Sequence, residues 1–399
     1  MSNLENKNLA QNLIHCIRGV VGESEETVPL HVPEFHGRER ELINDCIDSG
    51  WVSSVGSYVN EFETKVARSV GCLYGVAVMN GTAALQIALL ISGVNPNDEV
   101  LLPALTFVAT ANATSYLGAI PHFVDSAYDT LGVCPLRLRA HLEQVAEVRG
   151  GETWNHKTGR RIAAIVPMHV FGCPVDMNEL DKVLLDWPMD VVEDAAESLG
   201  SQYKGRRCGS LSSIAAISFN GNKIVTTGGG GAIVTNDKKM ARRAKHLTTT
   251  AKLPSKWDFI HDEIGYNYRM PNLNAALGVA QLEQLEARLI QKKRLFDKYS
   301  KAFLGLDGVQ LFNAPRTSTS NNWLITIILD SKTIGERDLI LKKLNEAGIM
   351  SRPSWTLMHR LPMYKRAPRA DLTQAEGLEK RVLNIPSSAY LGALRGPNS

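Results

Sequence analysis

Ile214-Ala215-Ala216-Ile217-Ser218-Phe219-Asn220-Gly221-Asn222-Lys223 is an apolar run that ends in a polar turn and a lysine, just before Gly228-Gly229-Gly230-Gly231. A short apolar run without polar alternation reads as a strand covered on both faces, the kind a parallel sheet uses. Upstream, Val191-Val192-Glu193-Asp194-Ala195-Ala196-Glu197 reads as a second such strand and delivers an acid at its end. Working outward, 76–79, 99–102, 120–124, 162–166 and 232–235 read as further strands. Helical periods fall between them at 82–91, 107–116, 135–148 and 177–185. This alternation predicts an α/β fold with a mainly parallel sheet flanked by helices. A helical tract over 273–303, with Leu277, Val279, Leu282, Leu285 and Leu289 near helical spacing, leads into a smaller α/β lobe. That lobe carries a strand at 323–329 and helices at 334–347 and 375–381. The expected plan is an N-terminal arm (1–36), a large domain (37–275), and a linking helix with a small C-terminal domain (276–399).

The chain has 399 residues, enough for two lobes. Its 44% hydrophobic and 21% charged residues are those of a globular protein. Forty-four Lys and Arg against 41 Asp and Glu leave +3, too balanced for a nucleic-acid surface. The six cysteines (16, 46, 72, 134, 173 and 208) form no CxxC pair and no metal spacing, so no metal is expected. They read as reduced thiols of a cytoplasmic protein. With no apolar run of eighteen residues and a polar start, neither a membrane span nor a signal peptide is expected.

A lysine in a tight, partly apolar pocket loses solvation and offers a neutral amine. Such an amine can hold an aldehyde cofactor, and an acid at a strand's carboxyl end can keep a pyridine nitrogen protonated. Lys223 and Asp194 together point to pyridoxal phosphate. Taken alone, Lys223 reads as a surface charge and the glycines as a loop. The ordered set around them carries the argument. Asn80-Gly81-Thr82-Ala83-Ala84-Leu85 sits where a strand becomes a helix, so the Thr82 and Ala83 amides and the Thr82 hydroxyl can meet a phosphate. An ordinary N-cap is the plainer reading. Ser218 can donate to the same phosphate. Glu197 either bonds the cofactor's phenolic oxygen or caps a turn. Phe107 either stacks on the cofactor ring or joins the core. His169 ends its strand at the site rim or serves the structure. Arg352-Pro353-Ser354-Trp355 with His359 forms a polar, aromatic segment suited to a sugar or diphosphate, with Trp355 and His359 on one face if the stretch is helical.

Asn80-Gly81-Thr82-Ala83-Ala84-Leu85, Glu193-Asp194-Ala195-Ala196-Glu197, Ser218-Phe219-Asn220-Gly221-Asn222-Lys223 and Gly265-Tyr266-Asn267-Tyr268-Arg269 occur in that order. The set resembles the fold-type I PLP-dependent nucleotide-sugar aminotransferases of the DegT/StrS group, over residues 40–390. The resemblance implies an aspartate-aminotransferase-like fold with a seven-stranded-type sheet. It implies that Lys223 bonds the cofactor aldehyde and that Asp194 pairs with the pyridine nitrogen. Gly81, Thr82, Ala83 and Ser218 would hold the phosphate, with Phe107 on the ring. Asn267 would reach the cofactor phosphate of a neighbouring subunit, which implies a homodimer with shared sites. The implied amino donor is L-glutamate. Many members of the group carry Gln where this chain has Glu197, and an ionised Glu accepts but cannot donate; the Glu form resembles the perosamine and bacillosamine branches.

Trp51-Val52-Ser53-Ser54-Val55-Gly56, Thr106-Phe107-Val108-Ala109-Thr110-Ala111-Asn112-Ala113, Met358-His359-Arg360-Leu361-Pro362-Met363-Tyr364 and Asn384-Ile385-Pro386-Ser387-Ser388 are similar to the subgroup acting on UDP-4-keto-6-deoxy-N-acetylglucosamine. Those enzymes feed bacillosamine and legionaminic acid synthesis. Ser54, His169, Asn222, Arg352, Trp355 and His359 are the expected substrate contacts, with a UDP sugar favoured over a GDP sugar. A GDP-perosamine synthase or a 3-keto sugar aminotransferase is the alternative. A sugar dehydratase of the same fold would carry His in place of Lys223. A non-catalytic regulator would be free to lose Lys223 or Asp194, and both are present.

Overall fold

The apolar runs become the strands of one central sheet. The computed structural model describes residues 2–23 and 26–394; the remaining positions of the expected arm and C-terminal domain lie outside the described residues. The strands are β1 (Tyr74–Val78), β2 (Glu99–Pro103), β3 (Ile120–Val124), β4 (Arg160–Ile165), β5 (Asp190–Asp194), β6 (Ile214–Ser218) and β7 (Gly231–Thr235). Their order is β3-β2-β4-β5-β6-β7-β1. β3, β2, β4, β5 and β6 pair in parallel, whereas β7 runs antiparallel to β6 and β1. Residues 214–217 are all buried, which is why that strand shows no polar alternation.

The helix expected over 135–148 stops at Val145. Gly150 and Gly151, both at positive φ, turn the chain so that Ala146–Arg149 pairs with Glu152–Asn155 and adds a hairpin to the edge of β4. The expected helical tract over 273–303 is two helices, Asn272–Glu283 and Leu285–Ala302. At the break, the Gln284 side chain turns to donate to Glu39 at 2.6 Å and to the Ala280 carbonyl at 3.1 Å.

The second lobe is an antiparallel sheet of β8 (Val309–Leu311), β9 (Ile325–Leu329), β10 (Arg352–Pro353) and β11 (Val382–Ile385), in the order β8-β9-β11-β10. The first helix, Ser2–Val21, lays Leu9, Leu13 and Ile17 into the core this sheet shares with Leu295 and Tyr299. Among the described residues no helix is long and apolar enough to cross a membrane.

Two glycines decide how closely the helix Gly81–Ile91 seats on the sheet. A Cβ on Gly231 would fall 2.5 Å from the Asn80 carbonyl, and one on Gly81 would fall 2.8 Å from Ser218 Cβ. Only hydrogen at both positions lets the helix start against β6 and β7. The carboxyl ends of β1, β5 and β6 thus share one edge of the sheet, where α/β folds place their ligands.

Candidate active site

Asp194 ends β5 fully inside the protein. Its Oδ2 accepts the Thr110 hydroxyl at 2.8 Å and its Oδ1 accepts the Ala196 amide at 3.1 Å. Burial pushes this carboxyl above the usual range, while the Thr110 and Ala196 donors hold it down in part. Among the described residues the hydrogen bonds to this buried carboxylate come from neutral donors, and a protonated pyridine nitrogen would add a cationic one.

Lys223 follows β6 through the turn Asn220-Gly221-Asn222. Its Nζ lies 3.3 Å from Glu197 Oε1 and 3.8 Å from the centre of a Trp323 ring, with 14% of the side chain exposed. Glu197 Oε2 accepts the Phe171 amide at 2.9 Å. Burial pushes the Glu197 carboxyl up to about 7, against the pull of the Lys223 ammonium. Near neutral pH Glu197 therefore carries a proton part of the time and can donate, as Gln does.

The sign of the resulting pH dependence follows from linkage. An unfolded Glu ionises near 4.5 and the folded one near 7, so folding takes up a proton between those values and stability falls as pH rises through that window. In cofactor-free protein, Glu197→Gln is expected to be the more stable form at pH 8, by on the order of 3 kcal/mol, with the difference fading towards pH 4.5. Urea unfolding of both proteins across that range checks it, and a constant difference at all pH values would contradict it.

The helix start facing this pair differs from expectation by one residue. Asn80 Oδ1 caps the helix by accepting the Ala83 amide at 2.8 Å. The donors left to meet a phosphate are the Gly81 and Thr82 amides, the Thr82 hydroxyl and Ser218. Phe107 stands at the next helix start, half exposed, with its ring 6.3 Å from Trp355; Trp355 in turn lies 4.8 Å from Phe171. Phe171 holds a left-handed backbone (φ 53°), uncommon for an aromatic residue, and its amide bond to Glu197 fixes it there.

Other expected residues sit differently. His169 is not on the rim: it is fully buried, its Nδ1 accepting the Val175 amide at 3.1 Å and its Nε2 donating to Glu193 at 3.0 Å. Both ring nitrogens are engaged, so none is left for a substrate. Trp355 and His359 share no helical face, because only the short turn Met358–Arg360 is helical there. His359 Nε2 is bonded to Glu376 at 3.2 Å, away from Trp355. Asn222 is exposed on the Lys223 turn, and Asn267 is exposed with its Oδ1 accepting from Arg269. Arg352 is exposed on β10, and Ser54 is half-buried in the loop held by Asn272. Among the described residues none of Ser54, Asn267 and Arg352 bonds to the Lys223 pocket.

Thr110, Phe171, Asn321 and Trp323 line or brace the pocket without having been singled out in the sequence. Thr110 had a signal: it lies one helical turn beyond Thr106, on the helix that Phe107 opens, and the two hydroxyls are bonded at 3.0 Å. Asn321 and Trp323 arrive from the second lobe, and no local pattern marks them.

With this geometry in view, the comparisons with known proteins are specific. The family model "DegT/DnrJ/EryC1/StrS aminotransferase family" matches residues 33–393. GDP-perosamine synthase of Escherichia coli O157:H7 is 36% identical, with 90% of this chain and 93% of that protein covered. GDP-perosamine synthase of Caulobacter vibrioides is 35% identical, over 91% of this chain and 94% of that one. Among solved structures, DesI in the presence of its TDP-sugar product superposes with a TM-score of 0.79 at 29% identity, covering 94% of this chain and 91% of that one.

Proposed function

This chain belongs to the DegT/DnrJ/EryC1/StrS aminotransferase family of PLP-dependent enzymes, and we propose that it moves the amino group of L-glutamate to C4 of a nucleotide-linked 4-keto-6-deoxy sugar. The substrate we assign is a UDP-2-acetamido-2,6-dideoxy-4-keto-hexose, used in the cytoplasm to build a bacterial surface glycan or nonulosonic acid. The observation that carries the aminotransferase reading is that a buried Asp194 ends β5 while Lys223 follows the adjacent parallel strand β6.

When bound, pyridoxal phosphate supplies an electron sink for the charge left as a proton leaves the carbon bearing the nitrogen. Asp194 keeps the ring nitrogen positive. The Gly81 and Thr82 amides, the Thr82 hydroxyl and Ser218 hold the phosphate at a helix N-terminus. Lys223 takes the proton from the α-carbon of glutamate and later delivers one to C4 of the sugar, acting as base and then acid. Glu197 orients the Lys223 amine and, when protonated, donates to the cofactor's phenolic oxygen. Phe107, Phe171 and Trp355 form an apolar wall that keeps water from one side of the reacting carbon. Asn222, Ser54 and Arg352 are assigned to the sugar nucleotide, and Asn267 to the cofactor phosphate of a second subunit in a homodimer.

The motifs at 51–56, 106–113, 358–364 and 384–388 support the UDP sugar. The GDP-perosamine synthases at 35–36% identity favour a second reading, a GDP-4-keto-6-deoxyhexose. Enzyme first converted by L-glutamate is then offered each keto sugar in a single turnover. The UDP substrate is expected to react at least about tenfold faster, a difference of about 1.4 kcal/mol in barrier. A GDP sugar reacting faster would replace the first reading with the second, and NMR of the product tells C4 from C3 amination.

A further inference from the structure

Trp323 stands just before β9 in the second lobe and is 3% exposed. Its indole Nε1 donates to the Asn222 carbonyl at 2.7 Å, beside Lys223. Its backbone amide donates to Asn321 Oδ1 at 2.8 Å, and its carbonyl accepts Lys292 Nζ at 2.9 Å. Asn321 Nδ2 in turn donates to the carbonyls of Glu197 and Leu199, at 2.9 and 3.0 Å. One segment of the second lobe therefore grips the backbone on both sides of the pocket, at Glu197 and at Asn222. With the indole fixed by its Nε1 and the backbone behind it held at two further points, the ring face lies 3.8 Å from Lys223 Nζ.

An ammonium with 14% side-chain exposure has given up most of its water. The carboxylate bonded to it, Glu197, is held near 7 and is a partial counter-ion at neutral pH. The aromatic face supplies the remaining stabilisation, and cation–π attraction is strongest where water is excluded.

We propose that Trp323 is a positioning residue that holds the Lys223 side chain as its ammonium once that nitrogen is free of the cofactor and has taken up a proton. Bond formation takes the proton off the ammonium, joins nitrogen to the aldehyde carbon and expels one water. In turnover the amino group of glutamate displaces the lysine, its bond to the cofactor carbon forming as the lysine's breaks with no water consumed, and the freed amine becomes the ammonium by taking the α-carbon proton. The indole face stabilises only the released side, so it shifts the balance towards free lysine and shortens the time the lysine obstructs the substrate. The inference rests on Lys223 being the cofactor lysine.

Cofactor-free enzyme separates the two states. Pyridoxal phosphate uses up the ammonium when it binds, whereas pyridoxamine phosphate leaves it in place. In Trp323→Leu, affinity for pyridoxal phosphate is expected to rise about tenfold, the size of a desolvated cation–π contact, while affinity for pyridoxamine phosphate stays within about twofold. Trp323→Phe keeps a weaker face and is expected to shift the ratio less. Should the leucine variant fail to fold, biosynthetic replacement of tryptophan by fluorinated analogues keeps the shape, and the ratio is expected to rise with each added fluorine. A ratio that stays put, or two affinities that weaken together, would mean Trp323 serves packing alone and would overturn the proposal. If wild-type protein gave no visible band on addition of pyridoxal phosphate, the cofactor-lysine reading itself would fall, an outcome distinct from an unmoved ratio.

Discussion

Lys223→Ala is expected to lower kcat by at least about 10⁴-fold while leaving the fold in place. A positioned acid–base group contributes roughly 10² to 10⁴ by itself, and we assign to this lysine the covalent link to the cofactor as well. The fold survives because Lys223 is on a turn, with its Nζ hydrogen-bonded, among the described residues, to Glu197 and resting on the Trp323 ring. Truncation leaves space between the Trp323 ring and Glu197, and it raises the Glu197 carboxyl further by removing the cation that pulls it down. Pyridoxal phosphate is still expected to bind at the Gly81–Thr82 helix start, without the visible band of the lysine-bound form. Far-UV circular dichroism, the absorbance spectrum and single-turnover rates check the three parts separately. A variant with near-normal rate would take Lys223 out of the mechanism.

Asp194→Asn is expected to cost roughly 10²- to 10³-fold in kcat, the range for one well-placed electrostatic group in a water-poor site. The substitution is close to isosteric, and its hydrogen bonds can be kept. The Asn oxygen can take the Ala196 amide, and its NH₂ can donate to Thr110, whose hydroxyl then turns to Thr106. What is lost is the negative charge we assign to keeping the pyridine nitrogen protonated. A second readout separates this from damage to the fold. Because burial raises the Asp194 carboxyl, ionising it costs stability above its ordinary range. The cofactor-free Asn variant is therefore expected to melt higher than wild type at neutral pH, although the loaded enzyme is slower. Unchanged kinetics would contradict the assignment of Asp194.

The strands of the large domain were legible because each is an apolar run bounded by a polar turn, and burial on both faces leaves that trace. The helix start at Gly81 and the acid at the end of β5 were legible for a related reason: strand ends and helix caps are set by neighbours in the chain. The hairpin after Val145 was missed although Gly150-Gly151 marks it, because the preceding residues have good helical spacing. His169 was misplaced because a strand end says nothing about what packs over it; the Val175 amide and Glu193 close that space. At the helix start the Asn80 side chain takes the Ala83 amide, a choice between side chain and backbone that only geometry decides. Asn321 and Trp323 were invisible because their roles arise when the second lobe docks on the first, a contact between residues about a hundred positions apart in the chain. Trp355 would share a face with His359 only if that stretch were helical; it reaches Phe107 from an irregular segment.

We propose that Lys223 and Asp194 run pyridoxal phosphate chemistry with L-glutamate as the amino donor. The most direct test is the absorbance spectrum of purified protein supplied with pyridoxal phosphate, recorded before and after L-glutamate is added. The account expects a visible band from the lysine-bound cofactor that gives way to the pyridoxamine form, and the same band returning when the 4-keto sugar nucleotide follows. A protein that forms no band with pyridoxal phosphate, or whose band ignores glutamate, would contradict it.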